Sequence, residues 1–259
     1  MQLATTAIDI AAIDTPSPEE WAVRVNLAAM YRLAALNGWD DLIFTHISAR
    51  VPGPDHHFLI NPLGLMFEEI TASSLIKIDL DANIIAGPQG ARVNGAGFVI
   101  HSAIHAARDD ANYVIHLHTT DGIAVSAQPE GLLPISQFAL GIIPMLSYHD
   151  YEGVALDLDE CERLVADLGD RTMMILRHHG TLALGPTAGV AWLSMYGLER
   201  ACAVQVRALS AGRHGIDLAP VAAQDKVGEQ VTQDLSAPYK LGWDALLRKL
   251  QRTAPGFDS

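Results

Sequence analysis

His116 and His118 stand two residues apart behind Val114 and Ile115. In a strand, side chains at i and i+2 share a face. The pair can therefore offer two imidazole nitrogens to one divalent ion, at about 2.0–2.1 Å each for zinc. A second β-rich run, 172–177, leads into His178, His179 and Gly180. An imidazole from its end completes a facial set of three and leaves a position open for water or substrate. In extended backbone His178 and His179 point opposite ways, and spacing alone leaves open which of them joins the pair. Gly180 allows a sharp turn or a close approach there. The chemistry of such a centre is polarisation of a carbonyl or carboxylate and stabilisation of the enolate-like charge that follows. A His-x-His pair also occurs as ordinary hydrogen-bonded polar residues, so the metal reading rests on the third histidine arriving.

Other groups offer supporting chemistry. The segment YHDYEG contains Tyr148, His149, Tyr151 and Glu152. Imidazole titrates closest to neutrality, which makes His149 the natural proton carrier. Glu152 supplies a carboxylate if its loop folds inward, and the whole segment also reads as a polar turn between strands. Ser48 and Arg50 suit a substrate carboxylate, because guanidinium presents forked, charged donors; a salt bridge is the other use of Arg50. Asn61 and Gly64 lie in a turn whose N–H groups can face an anion, or which serves the fold alone. His101 and His105, four apart on a helix, share one side and read chiefly as helix–sheet packing. Glu199 and Arg207 read as polar interface residues on a long late helix.

These residues need strands and helices to place them. Ser17, Pro18 and Glu20 form a helix start with capping-box spacing, and Gly38 ends that helix. Strands are expected at 42–50, 57–61, 76–80, 84–85, 114–118, 133–135, 145–147, 172–177 and 181–185, from β-branched content and alternation. Helices are expected at 21–36, 98–107, 121–127, 157–168 and 187–211, with a short one within 68–75. Alternation of the two kinds implies a sheet covered by helices. The division expected is a lead over 1–16, one α/β domain over 17–211, and a tail over 212–259 that packs on that domain or on a neighbouring subunit.

Composition sets limits on partners. Seventeen Lys and Arg against 30 Asp and Glu give a formal charge of −13 over 259 residues. Such a surface repels nucleic acid and anionic membranes, and no basic stripe reverses it. Cys161 and Cys202 are distant and have no ligand-like spacing, which fits a reducing compartment. No basic-then-apolar leader opens the chain, and the longest apolar stretches fall short of a membrane span. A cytoplasmic location is expected.

Five segments carry a family resemblance: THISAR at 45–50, INPLGLMFEEITASSL at 60–75, NGAGFVIHSAIHAARDDANYVIHLHT at 94–119, LLPISQFAL at 132–140 and ILRHHGTLALG at 175–185. Over about residues 20–210 the chain resembles the class II aldolase/adducin family. In detail it is nearer to the adducin head and its bacterial relatives than to the sugar-phosphate aldolases. The resemblance implies a three-layer α/β/α sandwich around a mostly antiparallel sheet, in a homotetramer with metal sites near subunit interfaces. It selects His179 over His178 and implies one divalent metal per subunit on His116, His118 and His179. Zinc is expected first, with manganese, cobalt or iron as alternatives.

The departures from that family are as informative as the matches. Aldolases of the family place a proton-transferring glutamate where this chain has Gly97, and serines that hold phosphate fall on Gly95 and Ala96. His46 replaces the asparagine of the family's N-x-S-x-R stretch, while Ser48 and Arg50 remain. A tyrosine used by some aldolases falls near Gln137. Decarboxylation does not need a base to deprotonate an aldol hydroxyl, so it tolerates the loss at Gly97. The function expected is a metal-dependent carbon–carbon lyase, a decarboxylase or non-classical aldolase, acting on a small oxygenated carboxylate. Its catalytic groups are His149, Glu152 and Tyr148. Its substrate site draws on His46, Ser48, Arg50, Asn61, Gly64, Gly97 and Gln137. Two other functions fit the resemblance: an adducin-like binding or scaffolding protein without turnover, and an iron-dependent oxygenase.

Overall fold

Ser17 opens the first helix, accepting the Glu20 N–H on its hydroxyl at 3.1 Å, with Pro18 in the first turn. A computed structural model describes residues 15–153, 158–231 and 236–259. The lead over 1–14 therefore lies outside the described residues. Helix α1 (Pro18–Leu36) is rich in alanine and leucine, and Leu27, Ala28, Ala29, Met30, Tyr31, Leu33 and Ala34 are fully buried on it. Small side chains let it lie close to the sheet beneath.

Eight strands form one sheet: β1 (His46–Arg50), β2 (Phe58–Ile60), β3 (Ile76–Ile78), β4 (Ile84–Ala86), β5 (Tyr113–Leu117), β6 (Leu146–His149), β7 (Met173–Leu176) and β8 (Gly180–Gly185). Their order is β4-β3-β2-β1-β5-β8-β7-β6. Every neighbouring pair is antiparallel except β6 with β7. The central strands are buried throughout, and their alternate residues feed two cores. Ile115, Leu117, Ile175 and Ala183 join the large core with α1 and α6 (Ala188–Leu209). Val114, Met174, Leu176, Leu182 and Leu184 pack against Ile100 and Ile104 of α2 (Gly95–Ala107) and Leu164 and Leu168 of α5 (Leu158–Leu168). The sheet is mostly antiparallel, as expected, and these helices pack on it through the two cores.

Several expected elements shift. The strand expected at 42–50 begins only at His46, because Leu42 and Thr45 take positive φ values of 52° and 60° and fold 41–44 into a turn. The stretch 133–135 is not a strand. It leads instead into α4 (Gln137–Ile142), capped by Ser136. Within 68–75 only a 3₁₀ turn at Phe67–Glu69 forms. The chain between β5 and α4 carries α3 (Thr120–Ser126). After residue 212 come α7 (Val221–Val231) and α8 (Ser236–Thr253). The tail packs on its own chain: Trp243 donates its indole N–H to Asn26 of α1 at 2.9 Å, and Ala72 N–H reaches the Phe257 carbonyl at 2.9 Å. Among the described residues, no helix is long and apolar enough to cross a membrane.

Candidate metal centre

His116 is the penultimate residue of β5, cross-paired with His46 on one side and Leu182 on the other. The strand ends at Leu117, and His118 sits one residue beyond, just before Thr119 caps α3 by accepting the Gly122 N–H at 3.0 Å. The third ring comes from the tight connection between β7 and β8. His178 takes a left-handed φ of 56° there, which reverses the chain and brings His179 to the centre. Gly180 is needed for that approach. A Cβ on it would lie 2.3 Å from the Leu117 carbonyl oxygen and 3.3 Å from the rings of both His116 and His118.

The three rings meet through one nitrogen each. Nε2 of His116 is 2.9 Å from Nε2 of His118, which is 3.0 Å from Nε2 of His179. No other group of three or more potential ligand residues gathers in this way among the described residues. The far nitrogens fix the tautomers. Nδ1 of His116 faces the Thr181 carbonyl at 3.0 Å, and Nδ1 of His118 faces an Asp41 carboxylate oxygen at 3.1 Å. Each of those acceptors requires the proton on Nδ1. In the neutral rings both Nε2 atoms then carry a lone pair, and two lone pairs at 2.9 Å repel. A shared cation turns this repulsion into attraction, and the arrangement fits a divalent metal on imidazole donors. The three candidate ligand nitrogens all lie within 4.8 Å of one another, a spread that modest ring movements would close around one ion.

Electrostatics favour the same state. Burial, then the neighbouring His179, His118 and His46, holds His116 well below the usual imidazole range. Burial and His118 lower His179 to about 4. Both are neutral near pH 7, with lone pairs available to a metal.

Asp41 is a functional residue the sequence did not reveal. It belongs to the turn before β1, far from either histidine run, and only tertiary structure brings it to His118.

The remaining site expectations fare unevenly. His46 is buried beneath the centre, its ring centroid 5.8 Å from that of His116. His149 is 3% exposed at the end of β6, and lines a small cavity with His179, Tyr151, Arg177 and Glu160. Its Nδ1 donates to Asp167 at 2.7 Å, and its Nε2 lies 3.6 Å from a Glu160 oxygen without a hydrogen bond of its own. Glu160 and Asp167 were also missed; both lie on α5, whose amphipathic pattern says only that it packs.

Other candidates are committed elsewhere. Glu152 is held by a bidentate pair with Arg163, one contact being 2.8 Å, so its loop does not supply a free carboxylate. The Tyr148 hydroxyl accepts the Leu132 N–H at 2.9 Å, and its ring carries the Arg177 guanidinium. Arg50 is corrected most plainly. It ends β1 beside Asn112, at the start of β5, whereas the histidines gather at the end of β5. Four residues at about 3.3 Å each place it roughly 13 Å along the strand from His46, where it donates to the carbonyls of His105 and Arg108.

Ser48 lies between two imidazoles, 2.6 Å from His101 Nδ1 and 2.7 Å from His105 Nε2. His105 Nδ1 in turn donates to the Ala111 carbonyl at 2.7 Å, and burial lowers this histidine to about 3. This is an internal strut and not a carboxylate holder. Asn61 accepts the Tyr31 hydroxyl at 2.8 Å and is buried. Gly64 makes a turn at φ 107°, with open space where a side chain would be. Gly97 lies in the first turn of α2, and its surroundings are outside what is described. Gln137 begins α4 and lines an apolar groove with Phe138, Met145, Tyr196 and Tyr239, to which none of the histidines contributes.

Glu199, expected at an interface, is 3% exposed and buried within the chain. Its two oxygens accept the hydroxyls of Thr119 and Thr181, each at 2.5 Å. Burial raises its carboxyl to about 7, against the two threonine hydrogen bonds and with a further push from Asp121.

A mostly antiparallel sheet with three histidines gathered between β5 and the β7–β8 turn defines a class of metal-binding α/β protein. The family model for the class II aldolase and adducin N-terminal domain matches residues 25–206, and the chain belongs to that family. A Caulobacter vibrioides protein named for aldolase class 2 is 59% identical over 241 residues, 93% of each chain. Rat alpha-adducin is 46% identical over 193 residues, 74% of this chain and 26% of adducin. The solved L-fuculose 1-phosphate aldolase of Glaciozyma antarctica superposes with a TM-score of 0.79 at 27% identity, covering 94% of this chain and 96% of that one. Family members are generally metal-dependent lyases, and the matched relatives carry aldolase and adducin names alike.

Proposed function

We propose that the protein is a metal-dependent carbon–carbon lyase acting on a small oxygenated carboxylate, by decarboxylation or by a non-classical aldol cleavage. The observation that carries this reading is the convergence of His116, His118 and His179 through nitrogens whose lone pairs face one another. A divalent cation, zinc first among the choices, would be held by these three nitrogens, one per subunit. It supplies Lewis acidity to an oxygen beside the bond that breaks.

The chain's own residues do the rest. Asp41 and the Thr181 carbonyl orient His118 and His116 so that both lone pairs face inward. His149 is the proton carrier. Asp167 fixes its Nδ1 proton, which leaves Nε2 facing Glu160 in the cavity shared with His179. When the carbon–carbon bond breaks, the electron pair stays on the substrate carbon and the carboxyl group departs as CO₂. His149 acts as the imidazolium, with Asp167 on its Nδ1–H: it delivers the Nε2 proton to that carbon and returns to the neutral Nδ1–H ring, and a proton taken from water by way of Glu160 restores it. Self-association into a homotetramer is part of the proposal.

The test is elemental analysis of the purified protein, followed by a screen of hydroxy- and keto-acids for CO₂ or aldehyde release. Turnover that His116→Ala abolishes without unfolding the protein supports the lyase. The 46% identity to alpha-adducin favours a second reading, a binding or scaffolding protein. Folded protein that takes up no added zinc, manganese, cobalt or iron, and turns over nothing, would leave that reading standing alone.

A further inference from the structure

The middle of α6 passes beneath the end of β5 and the start of β8, and Glu199 points up from it into the interior. Glu199 has no ionic partner among the described residues, and its hydrogen bonds are to two threonine hydroxyls. Burying a carboxyl group without a counter-charge is costly, and an apolar side chain would fill the same space at less cost. What distinguishes Glu199 is which threonines it joins. Thr119 directly follows His118 and caps α3. Thr181 presents the carbonyl that accepts the Nδ1 proton of His116. One carboxyl group thus ties together the two backbone segments that hold two of the three converging rings. The packing is close around it: a Cβ on Gly122 would lie 2.6 Å from Thr119 Oγ1 and 3.1 Å from Glu199 Oε1.

We propose that Glu199 is a positioning residue of the histidine centre, holding the Thr119 and Thr181 segments at the separation that lets His116 and His118 aim at one point. The proposal rests on the metal-centre reading above but acts on the metal-free protein as well. Glu199 does not touch the rings; it works through the Thr181 carbonyl and the cap of α3. Orienting partners of this kind typically change metal affinity by about 10- to 100-fold when removed.

Two substitutions separate this role from simple filling. Glu199→Leu keeps the bulk and removes both acceptors. Glu199→Gln keeps the tie: its amide oxygen accepts from Thr119 and its NH₂ donates to Thr181, whose own proton turns to the Met195 sulfur 3.5 Å away. Imidazole ¹⁵N–¹H spectra of the metal-free protein report which nitrogen of His116 carries the proton. Competition with a chromophoric chelator gives the Co²⁺ affinity.

Wild type and Glu199→Gln are expected to show His116 protonated at Nδ1 and to bind Co²⁺ alike. Glu199→Leu is expected to show mixed tautomers and about 10- to 100-fold weaker Co²⁺ binding, with a cooperative melt. If Glu199→Leu does not fold, Thr181→Val cuts one arm of the tie and should move the same two readouts in the same direction. A variant lacking the tie that keeps the wild-type His116 tautomer and Co²⁺ affinity overturns the proposal. Wild-type protein that binds no Co²⁺ sinks the metal reading instead, and the tautomer comparison still decides the role of Glu199.

Discussion

Oδ2 of Asp41 lies 3.1 Å from Nδ1 of His118, across 77 positions of sequence. The contact exists because the chain before β1 turns sharply, with Leu42 and Thr45 both at positive φ and Phe44 N–H closing on the Asp41 carbonyl at 2.8 Å. Non-glycine residues held in that region cost on the order of 1–3 kcal/mol each, and such strain gathers where function needs it. Here it presents a carboxylate to the far side of a metal-facing imidazole.

Replacing Asp41 therefore weakens metal binding without unfolding the protein. Asp41→Ala is expected to lower Zn²⁺ affinity about 10- to 100-fold. Asp41→Asn should lose less, because its amide oxygen still accepts the Nδ1 proton. Isothermal titration of metal-free protein measures both. Equal affinity in wild type and Asp41→Ala means the contact does not orient His118.

Gly180→Ala tests the close approach of β8 to β5. The added methyl would lie 2.3 Å from the Leu117 carbonyl oxygen, so the two strands must part. Overpacking of this kind costs about 1–3 kcal/mol, and the parting also moves His116 and His118. A lower unfolding midpoint together with reduced metal affinity is expected. Gly215→Ala, where nothing lies within 4 Å, should change neither. Unaltered stability in Gly180→Ala would show that the strands accommodate the methyl.

Much of the centre was legible because its signal is local. A period of two set His116 and His118 on one face, and the β-rich run before His179 gave the third strand end. The choice of His179 over His178 was not legible from alternation alone. It is decided by the left-handed φ at His178, and only the family resemblance anticipated it. The misses share one cause. Asp41, Glu160, Asp167 and Glu199 act through contacts between distant elements, and no spacing announces them. Arg50 misled because side-chain chemistry was read without strand direction: the right residue type stands at the wrong end of β1. Ser48 and Asn61 read in the sequence as substrate-site residues, yet both side chains are engaged in internal struts.

The Asn61 strut gives a stability prediction away from the metal. The Tyr31 oxygen accepts the N–H groups of Ile47, at 2.8 Å, and Asn61, at 3.2 Å, and faces Asn61 Oδ1 and the Ile47 carbonyl. All of this is buried, so Tyr31→Phe strands several polar groups at once. Leaving one buried group unsatisfied costs about 1–3 kcal/mol. An unfolding free energy from urea titration lowered by at least that amount is expected, with metal affinity retained. An unchanged free energy would mean that water replaces the phenol.

The pH dependence of stability carries a signature of Glu199. Burial raises its carboxyl from 4.5 to about 7 in the folded chain. Between those values the folded state binds the proton and the unfolded state does not. Stability therefore falls as pH rises. The protonated group's advantage is fully present below about 4.5, is lost progressively up to about 7, and does not change further above that. At about 1.36 kcal/mol per unit, the whole loss is on the order of 3 kcal/mol. Glu199→Gln is neutral at every pH and removes this contribution, while leaving the other titrating groups in place. Subtracting the variant's urea stability from that of wild type, across pH 4 to 8, isolates it. Wild type should lose ground against Glu199→Gln up to about pH 7, then hold level. A difference curve that is flat, or that rises with pH, would mean the buried carboxyl is already ionised at acid pH, and that the two threonine hydroxyls outweigh its desolvation.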